Sequence, residues 1–267
     1  MGEEWFLQTG HGVRFDWGPE GARRVGAHVA CLVVVDVLSF TTAVTVAVEA
    51  GTAVHPYAWR DATAAAYARR VGARLAVGRR EVTERSPWSL SPAALRRAPF
   101  TPRLVLPSPN GSAIAAAAGE AATVVAASLR NAGAVGAWLA RHGYGVRDRP
   151  VAVVAAGERW PDGSLRPALE DLLGAGAVLA ALRGHAPAVT LSPEARTAAA
   201  ARTGTPDVAA AVAACASGRE LTGGGFPEDV AIATELDAAS VVPVLSGGAF
   251  SSGTSSETSS RAIEDRN

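Results

Sequence analysis

The chain has 267 residues with 25 basic and 25 acidic side chains, so its formal net charge is zero. This balance argues against nucleic-acid binding, which normally needs a basic excess or a basic stripe. Hydrophobic residues make up 48% of the sequence, enough for a sizeable core, and the abundance of alanine, glycine and valine is typical of tightly packed α/β proteins. The two cysteines, Cys31 and Cys215, have no CxxC partner, which argues against a cysteine-rich metal cluster and favours a reducing compartment.

The N-terminal segment MGEEWFLQTG is acidic and lacks the apolar region of a signal peptide. The longest apolar stretch, near residues 43–50, contains Thr45 and Glu49 and is too short to cross a bilayer. These features predict a cytoplasmic protein that has no membrane partner.

The first half of the chain alternates strand and helix patterns. Strands are predicted at 30–38, 54–57, 74–77 and 103–106, and helices at 43–51, 61–71, 92–97 and 113–118. Pro87, Pro92 and Pro99 predict that 78–102 is otherwise loop.

The second half continues with strands at 123–127, 151–155 and 241–245, and helices at 131–141, 168–182, 193–201, 206–217 and 229–236. A polar loop is predicted at 157–167. The tail from about 246 is rich in serine and glycine, which predicts disorder.

The strict alternation of elements from 30 to 182 predicts an α/β fold with helices on both faces of the sheet, that is, three α/β/α layers around a mainly parallel or mixed sheet. We expect one domain over residues 1–245, with two lobes divided near 150 as the alternative.

Ligands of open parallel sheets bind at the carboxyl ends of the strands. Four polar segments, 36–42, 107–112, 128–131 and 157–159, follow predicted strands and would meet at one edge of a parallel sheet. Within the first, Asp36 lies in an apolar run, where a carboxylate needs a partner or a metal ion. A Mg²⁺ site therefore fits Asp36, and capping of the next helix is the alternative.

Two of these segments contain hydroxyl, amide and glycine residues at predicted helix starts, where a phosphate or sulfonate can bind. The residues are Ser39, Thr41, Thr42, Asn110, Gly111 and Ser112. Ordinary helix capping is the alternative for all of them.

Glu170 and Asp171 begin a predicted helix, where acidic residues complement the helix dipole but can also hold a divalent ion or transfer protons. Arg130, Arg159 and Arg166 are candidates for binding oxyanions. The sequence contains no HExxH, Walker A, GxGxxG or GxSxG motif.

Five blocks of sequence, in chain order, resemble the 2-phosphosulfolactate phosphatase family. They are VVVDVL at 33–38, NGS at 110–112, LRNAGAV at 129–135, AG and LEDL at 156–172, and GFPEDV with VVPV at 225–244. The resemblance implies a layered α/β/α enzyme that uses Mg²⁺ to hydrolyse the phosphate ester of 2-phospho-3-sulfolactate.

Some positions depart from the family pattern. Ser39 stands where the family usually has arginine, GRR at 78–80 replaces Gly-Glu-Arg, and Ala155 and Gly174 replace cysteines, which excludes a cysteine nucleophile at those two positions. Because the changes lie in the predicted site loops, a different substrate is inferred, with loss of activity as the alternative.

With this resemblance, the sequence predicts a phosphoric monoester hydrolase in which Asp36, Glu170 and Asp171 are catalytic and Asp36 and Glu170 hold Mg²⁺. The residues predicted to contact a small anionic phosphate ester are Ser39, Thr41, Thr42, Asn110, Gly111, Ser112, Arg130, Asn131, Glu158 and Arg159. A non-catalytic protein of the same fold that binds small anions is the alternative function. A homodimer is expected because two-fold dimers are the commonest assemblies.

Overall fold

A computed structural model describes residues 5–58, 61–117 and 122–253. The strands of its main sheet are β1 (Val13–Trp17), β2 (Cys31–Val35), β3 (Ala53–Tyr57), β4 (Arg74–Leu75), β5 (Arg103–Pro107), β6 (Thr123–Ala127), β7 (Val151–Ala155), β10 (Pro243–Ser246) and β11 (Ala249–Ser252). Strands β8 (Glu158–Arg159) and β9 (Leu165–Arg166) form a separate small hairpin.

The helices connect these strands and cover the sheet. They are α1 (Gly18–Gly26), α2 (Phe40–Glu49), α3 (Ala62–Arg70), α4 (Pro92–Arg97), α5 (Gly111–Ala117), α6 (Ala132–Arg141), α7 (Leu169–His185), α8 (Pro193–Thr203), α9 (Val208–Ala214), α10 (Ala216–Gly223) and α11 (Pro227–Ala233). None of the helices in the described ranges is long and apolar enough to cross a membrane.

Strand β2 shows why the sheet is buried on both faces. All five of its residues are fully buried, and successive side chains of a strand point to opposite faces. Val33 and Val35 belong to a core cluster shared with α6, α7 and α8, whereas Leu32 and Val34 belong to a cluster shared with α1, α2 and α5. The predicted three-layer α/β/α arrangement is therefore confirmed.

The sheet has the order β1-β7-β2-β6-β10-β11-β3-β5-β4 and is mixed. The strands β1, β7, β2 and β6 pair in parallel, and so do β3, β5 and β4. The hairpin β10–β11 lies between the two groups and pairs antiparallel with β6 and with β3. Because three antiparallel pairings separate β6 from β3, the two groups run in opposite directions.

Strand β11 corrects the prediction of a disordered tail that begins near 246. The turn between β10 and β11 contains Gly247 and Gly248, both with positive φ. After this turn, Phe250 is fully buried and meets the ring of Phe40 edge-on at 6.1 Å. Residues 254–267 of the predicted tail lie outside the described residues.

Other differences are local. Strand β1 and helix α1 were not predicted, the predicted loop at 157–167 contains the β8–β9 hairpin, and the predicted helix at 206–217 is two helices. The break occurs at Cys215, which has extended backbone angles and caps α10 by accepting a hydrogen bond from Gly218 N–H. The predicted helix at 113–118 begins earlier, at Gly111, and its residue 118 lies outside the described ranges.

Candidate functional site

Asp36 follows β2 and receives the first backbone N–H groups of two helices. Its Oδ1 accepts from Phe40 N–H of α2 at 3.1 Å, and its Oδ2 accepts from Gly111 N–H of α5 at 3.1 Å. The side chain is 7% exposed. The carboxylate thus caps two helices, which is the capping alternative predicted from sequence, and it ties the loop after β2 to the loop after β5.

This contact joins loops from the two strand groups, although these groups run in opposite directions. Helix α5 packs against both β2 and β3, and one apolar cluster contains residues from β2, β3 and β5. The packing of α5, rather than a single parallel edge, brings Gly111 to Asp36. A Cβ atom at Gly111 would lie 2.4 Å from the Phe40 ring and 2.9 Å from Asp36 Oδ2, so only glycine fits this approach.

Three of the predicted anion-binding hydroxyls bond to the protein's own backbone. Thr41 Oγ1 donates to Asp36 O and Thr42 Oγ1 donates to Val37 O, both at 2.7 Å, and both side chains are fully buried. Ser112 is also buried, with its hydroxyl 3.4 Å from Leu106 O. These side chains hold the two loops in place, and the structure does not present them to a ligand.

Asp171 links the same loop to the one after β7. Its Oδ1 accepts from Val37 N–H at 2.7 Å and its Oδ2 accepts from Gly157 N–H at 2.8 Å. Burial, followed by the nearby Glu170 and Asp36, raises the pKa of the Asp171 carboxyl well above its usual value. Through these two hydrogen bonds, Asp171 fixes the loop after β2 against the loop after β7.

Glu158, at the start of β8, is partly exposed, unlike the buried Asp36 and Asp171. Its Oε2 lies 3.4 Å from Asn110 Nδ2, and Asn110 Oδ1 accepts from Arg159 Nε at 3.3 Å. Burial, with Asp36 and Glu170 nearby, raises the pKa of Glu158 to about 7. Burial also raises the pKa of Asp36 to about 6, against the opposing effect of its two N–H donors.

These loops border a cleft of about 680 Å³, which falls within the size range of small-molecule sites. Its lining residues are Leu38, Ser39, Ala58, Gly78, Arg79, Arg80, Glu81, Leu90, Ser108, Pro109, Asn110, Glu158, Ser217, Glu220, Leu221, Gly224 and Phe226. Three of the four predicted polar segments thus meet, and Ser39, Asn110 and Glu158 are the predicted ligand-contacting residues that line the cleft.

The fourth segment is directed elsewhere. Arg130 is 2% exposed and forms ion pairs with Glu49 and Glu235, while the side chain of Asn131 bonds to backbone groups, among them Ser128 N–H and Val241 O. The structure does not bring Arg130 and Asn131 to the cleft: two partly exposed glutamates pair with Arg130, and backbone groups bond to the side chain of Asn131.

Arg79 and Arg80 were not among the predicted site residues, yet both line the cleft. Arg79 Nε donates to Asp229 Oδ2 and its Nη2 donates to Leu38 O, each at 3.1 Å. The sequence offered one signal, the GRR run that replaces Gly-Glu-Arg at 78–80, but not the contact with Asp229, which lies 150 residues later. Arg166, a further predicted oxyanion binder, pairs through both Nη atoms with Glu220.

Glu170 is 2% exposed and accepts a hydrogen bond from Cys215 Sγ at 3.2 Å. Burial raises the pKa of the Cys215 thiol to about 11, so this thiol is not an activated nucleophile. Glu170 also raises the pKa values of Asp36, Glu158 and Asp171 through its charge. Asp36, Glu158, Glu170 and Asp171 therefore interact electrostatically, and of these four acids Glu158 lines the cleft.

The oxygen donors of this region decide whether it can hold Mg²⁺. Within the described ranges, no group of three or more His, Cys, Asp and Glu side chains is arranged to hold a metal ion. Mg²⁺, however, is usually bound by one or two carboxylates together with water and substrate oxygens. Asp36 and Glu170 are hard oxygen donors, and the charge of Glu170 acts on Asp36. A carboxylate oxygen that accepts one hydrogen bond keeps a further lone pair, so the chemistry of these two donors is compatible with Mg²⁺.

Comparison with known proteins identifies the family. The family model described as 2-phosphosulpholactate phosphatase matches residues 19–248. The comparison with curated protein sequences returned no match. The matched range contains every strand-end loop of the cleft and most of the described fold, from α1 to the turn before β11. The chain therefore belongs to the 2-phosphosulpholactate phosphatase family.

Proposed function

We propose that this protein is a Mg²⁺-dependent phosphomonoesterase that hydrolyses a small anionic phosphate ester, with 2-phospho-3-sulfolactate as the first candidate substrate. The family is one of phosphatases. The observation that carries the proposal is that one small-molecule cleft combines Glu158, whose pKa is about 7, with the arginines of the 78–80 loop.

Glu158 is suited to proton transfer in this reaction. A general acid or base works best when its pKa lies near the working pH, and burial beside other carboxylates brings Glu158 to that range. In the proposed reaction it would accept a proton from the attacking water or donate one to the leaving alcohol. Asn110, which bonds to Glu158 and to Arg159, would orient it.

The ester would lie between Ser39, Asn110 and the arginine side chains of the cleft. The hydroxyl of Ser39 has no hydrogen-bond partner in the part of the chain that the structure describes, although the residue occupies the capping position of α2. Arg159 is exposed, lines a neighbouring pocket together with Asn110 and Glu158, and bonds to Asn110 and to Gly163 O. These groups supply donors for anionic oxygens on the substrate.

Asp36 and Glu170 would hold the metal ion, with Asp171 positioning the loop that contains Asp36. The chemistry that Mg²⁺ supplies when bound is positive charge, which offsets charge on the phosphoryl oxygens in the transition state. It would also offset the negative charge of these acids, whose pKa values are raised mainly by burial and further by one another.

The test is phosphate release from a panel of small phosphate esters, including 2-phospho-3-sulfolactate, with Mg²⁺ and with EDTA. Release that EDTA abolishes, and that excess Mg²⁺ restores, would support the proposal. Anion binding without release from any ester, by folded protein, would overturn it in favour of a non-catalytic anion-binding protein.

A further inference from the structure

Two hydrogen bonds hold the guanidinium of Arg79 in one orientation. Asp229, which is 2% exposed, accepts from its Nε, and Leu38 O accepts from its Nη2. Asp229 is itself fixed through its other oxygen, which accepts from Ser91 Oγ and Ala93 N–H. A guanidinium fixed in this way loses little conformational freedom when a ligand binds.

The same side chain lies next to the proposed reaction centre. Arg79 lines the cleft together with Ser39 and Glu158, and its charge lowers the pKa of Asp36 against the larger effect of burial. Its Nη1 has no hydrogen-bond partner among the residues that the structure describes, and the side chain is 19% exposed. One end of a fixed guanidinium is therefore available to a ligand in the cleft.

The other arginines of this region are less suited to the role. Arg166 is neutralised by Glu220 and Arg130 by two glutamates away from the cleft. Arg80 is exposed and has no ion pair or hydrogen bond within the described ranges, so nothing fixes its guanidinium. Arg79 combines proximity to Asp36 with a fixed position.

We propose that Arg79 is a catalytic residue that binds a phosphoryl oxygen of the ester, and that Asp229 is the positioning residue that orients it. This inference rests on the proposed function. An arginine aimed at the phosphoryl group stabilises the negative charge that its oxygens carry in the transition state.

The experiment measures steady-state kinetics and competitive inhibition by inorganic phosphate for Arg79→Gln, Arg79→Lys and Asp229→Asn. Arg79→Gln is expected to lower kcat/KM by about 100- to 1,000-fold, as loss of one transition-state donor does. The kcat/KM of Arg79→Lys is expected to lie between those of the wild type and Arg79→Gln, because an ammonium group cannot keep both protein contacts and a ligand contact. Inhibition by inorganic phosphate should weaken in all three variants.

The matched control is Arg97→Gln, which removes an exposed arginine that pairs with Glu228 on the same helix as Asp229 but lies outside the cleft. Its kinetics should equal those of the wild type. To separate catalysis from folding, guanidinium chloride at low concentration is added to Arg79→Ala; partial recovery of turnover is expected only if the missing guanidinium acts on the substrate.

If the wild type releases phosphate, and Arg79→Gln keeps wild-type kcat/KM and phosphate inhibition, the assignment of Arg79 is overturned while the phosphatase function stands. A folded Arg79→Ala that loses activity without any guanidinium rescue, and still binds inorganic phosphate normally, would also overturn it. If the wild type itself releases no phosphate from any ester, the proposed function fails first.

Discussion

The backbone N–H of Gly111 donates a hydrogen bond to the carboxylate of Asp36, a residue 75 positions earlier, and thereby joins the amino ends of α2 and α5 at one acid. The arrangement depends on the absence of a side chain at 111, because any Cβ would overlap the Phe40 ring and Asp36 Oδ2.

Gly111→Ala should therefore destabilise the fold by about 1 to 3 kcal/mol, the usual cost of overpacking, and should lower any activity that depends on Asp36. Urea unfolding monitored by circular dichroism measures the change. Gly184→Ala is the control, since a Cβ there meets nothing within 4 Å and the residue lies in α7, so this variant should be as stable as the wild type or slightly more. Equal stability of the Gly111→Ala variant and the wild type would contradict the close approach.

The pKa of Glu158 predicts how stability varies with pH. Because the folded protein raises this pKa from 4.5 to about 7, the folded state binds the proton more tightly than the unfolded chain. The stabilisation that Glu158 adds to the free energy of unfolding is fully present below pH 4.5 and is lost as the pH rises through about 7. In the Glu158→Gln variant, the fall in unfolding free energy with rising pH should be smaller by about 1 to 3 kcal/mol.

Unfolding free energies at pH 5 and pH 8 measure the effect. The difference between the two pH values should be smaller in Glu158→Gln than in the wild type, whereas Glu228→Gln, which changes an exposed acid, should leave it unaltered. An unchanged difference in Glu158→Gln would show that Glu158 has an ordinary pKa.

The same residue should govern the pH dependence of catalysis. If Glu158 is the general base, kcat/KM rises with pH and levels off above about 7, and Glu158→Gln loses that limb together with most of the activity, about 100-fold or more. A pH–rate profile of both proteins with the best ester provides the measurement. An identical profile in the variant would assign the proton transfer to another group.

Mg²⁺ should stabilise the folded protein through Asp36 and Glu170. At a metal concentration 100-fold above Kd, a ligand specific for the folded state adds about 2.7 kcal/mol, which raises Tm by about 5 to 10 °C for a chain of this size. The shift should disappear in Asp36→Asn. The Tm shift should persist in Asp162→Asn, which changes an exposed acid in the β8–β9 turn. A Tm shift that remains in Asp36→Asn would show that the metal ion binds at another site.

Phe250 should contribute strongly to stability although it lies close to the chain end. The side chain is fully buried against Phe40, so Phe250→Ala should cost about 3 to 5 kcal/mol. Phe100→Ala removes an equally large ring that is 67% exposed and should cost far less. Thermal or denaturant unfolding compares the two, and similar losses would contradict the central position of β11.

The central elements of the fold could be predicted from local sequence because their signals are strong. Strands β6 and β7 are continuous apolar runs, and α4 begins with Ser91 as a cap and a proline in its first turn. Strand β1 was missed although Val13, Phe15 and Trp17 alternate with Arg14 and Asp16, a pattern typical of a strand. Strand β11 was missed because serine and glycine surround its buried Phe250, and it is recognisable only from its pairing with distant strands.

The sequence could predict the candidate site only through the rule that ligands bind at the carboxyl ends of strands. That rule leads to Asp36, Asn110 and Glu158, which the structure places beside or on one cleft. It could not show that Arg130 lies away from the cleft, because its side chain bonds to Glu49, 81 residues earlier. Nor could it find Arg79, since a loop arginine acquires its position from Asp229 rather than from its own neighbours.

The location of β10 and β11 has a consequence for synthesis on the ribosome. These strands are the last of the described elements to be translated, yet they occupy the middle of the sheet, between β6 and β3. Until they emerge, the nascent chain carries two unsatisfied inner edges whose backbone groups can pair with other chains. Closure of the sheet must therefore follow the synthesis of all the other described strands, and chains that stop before β10 should be prone to aggregation.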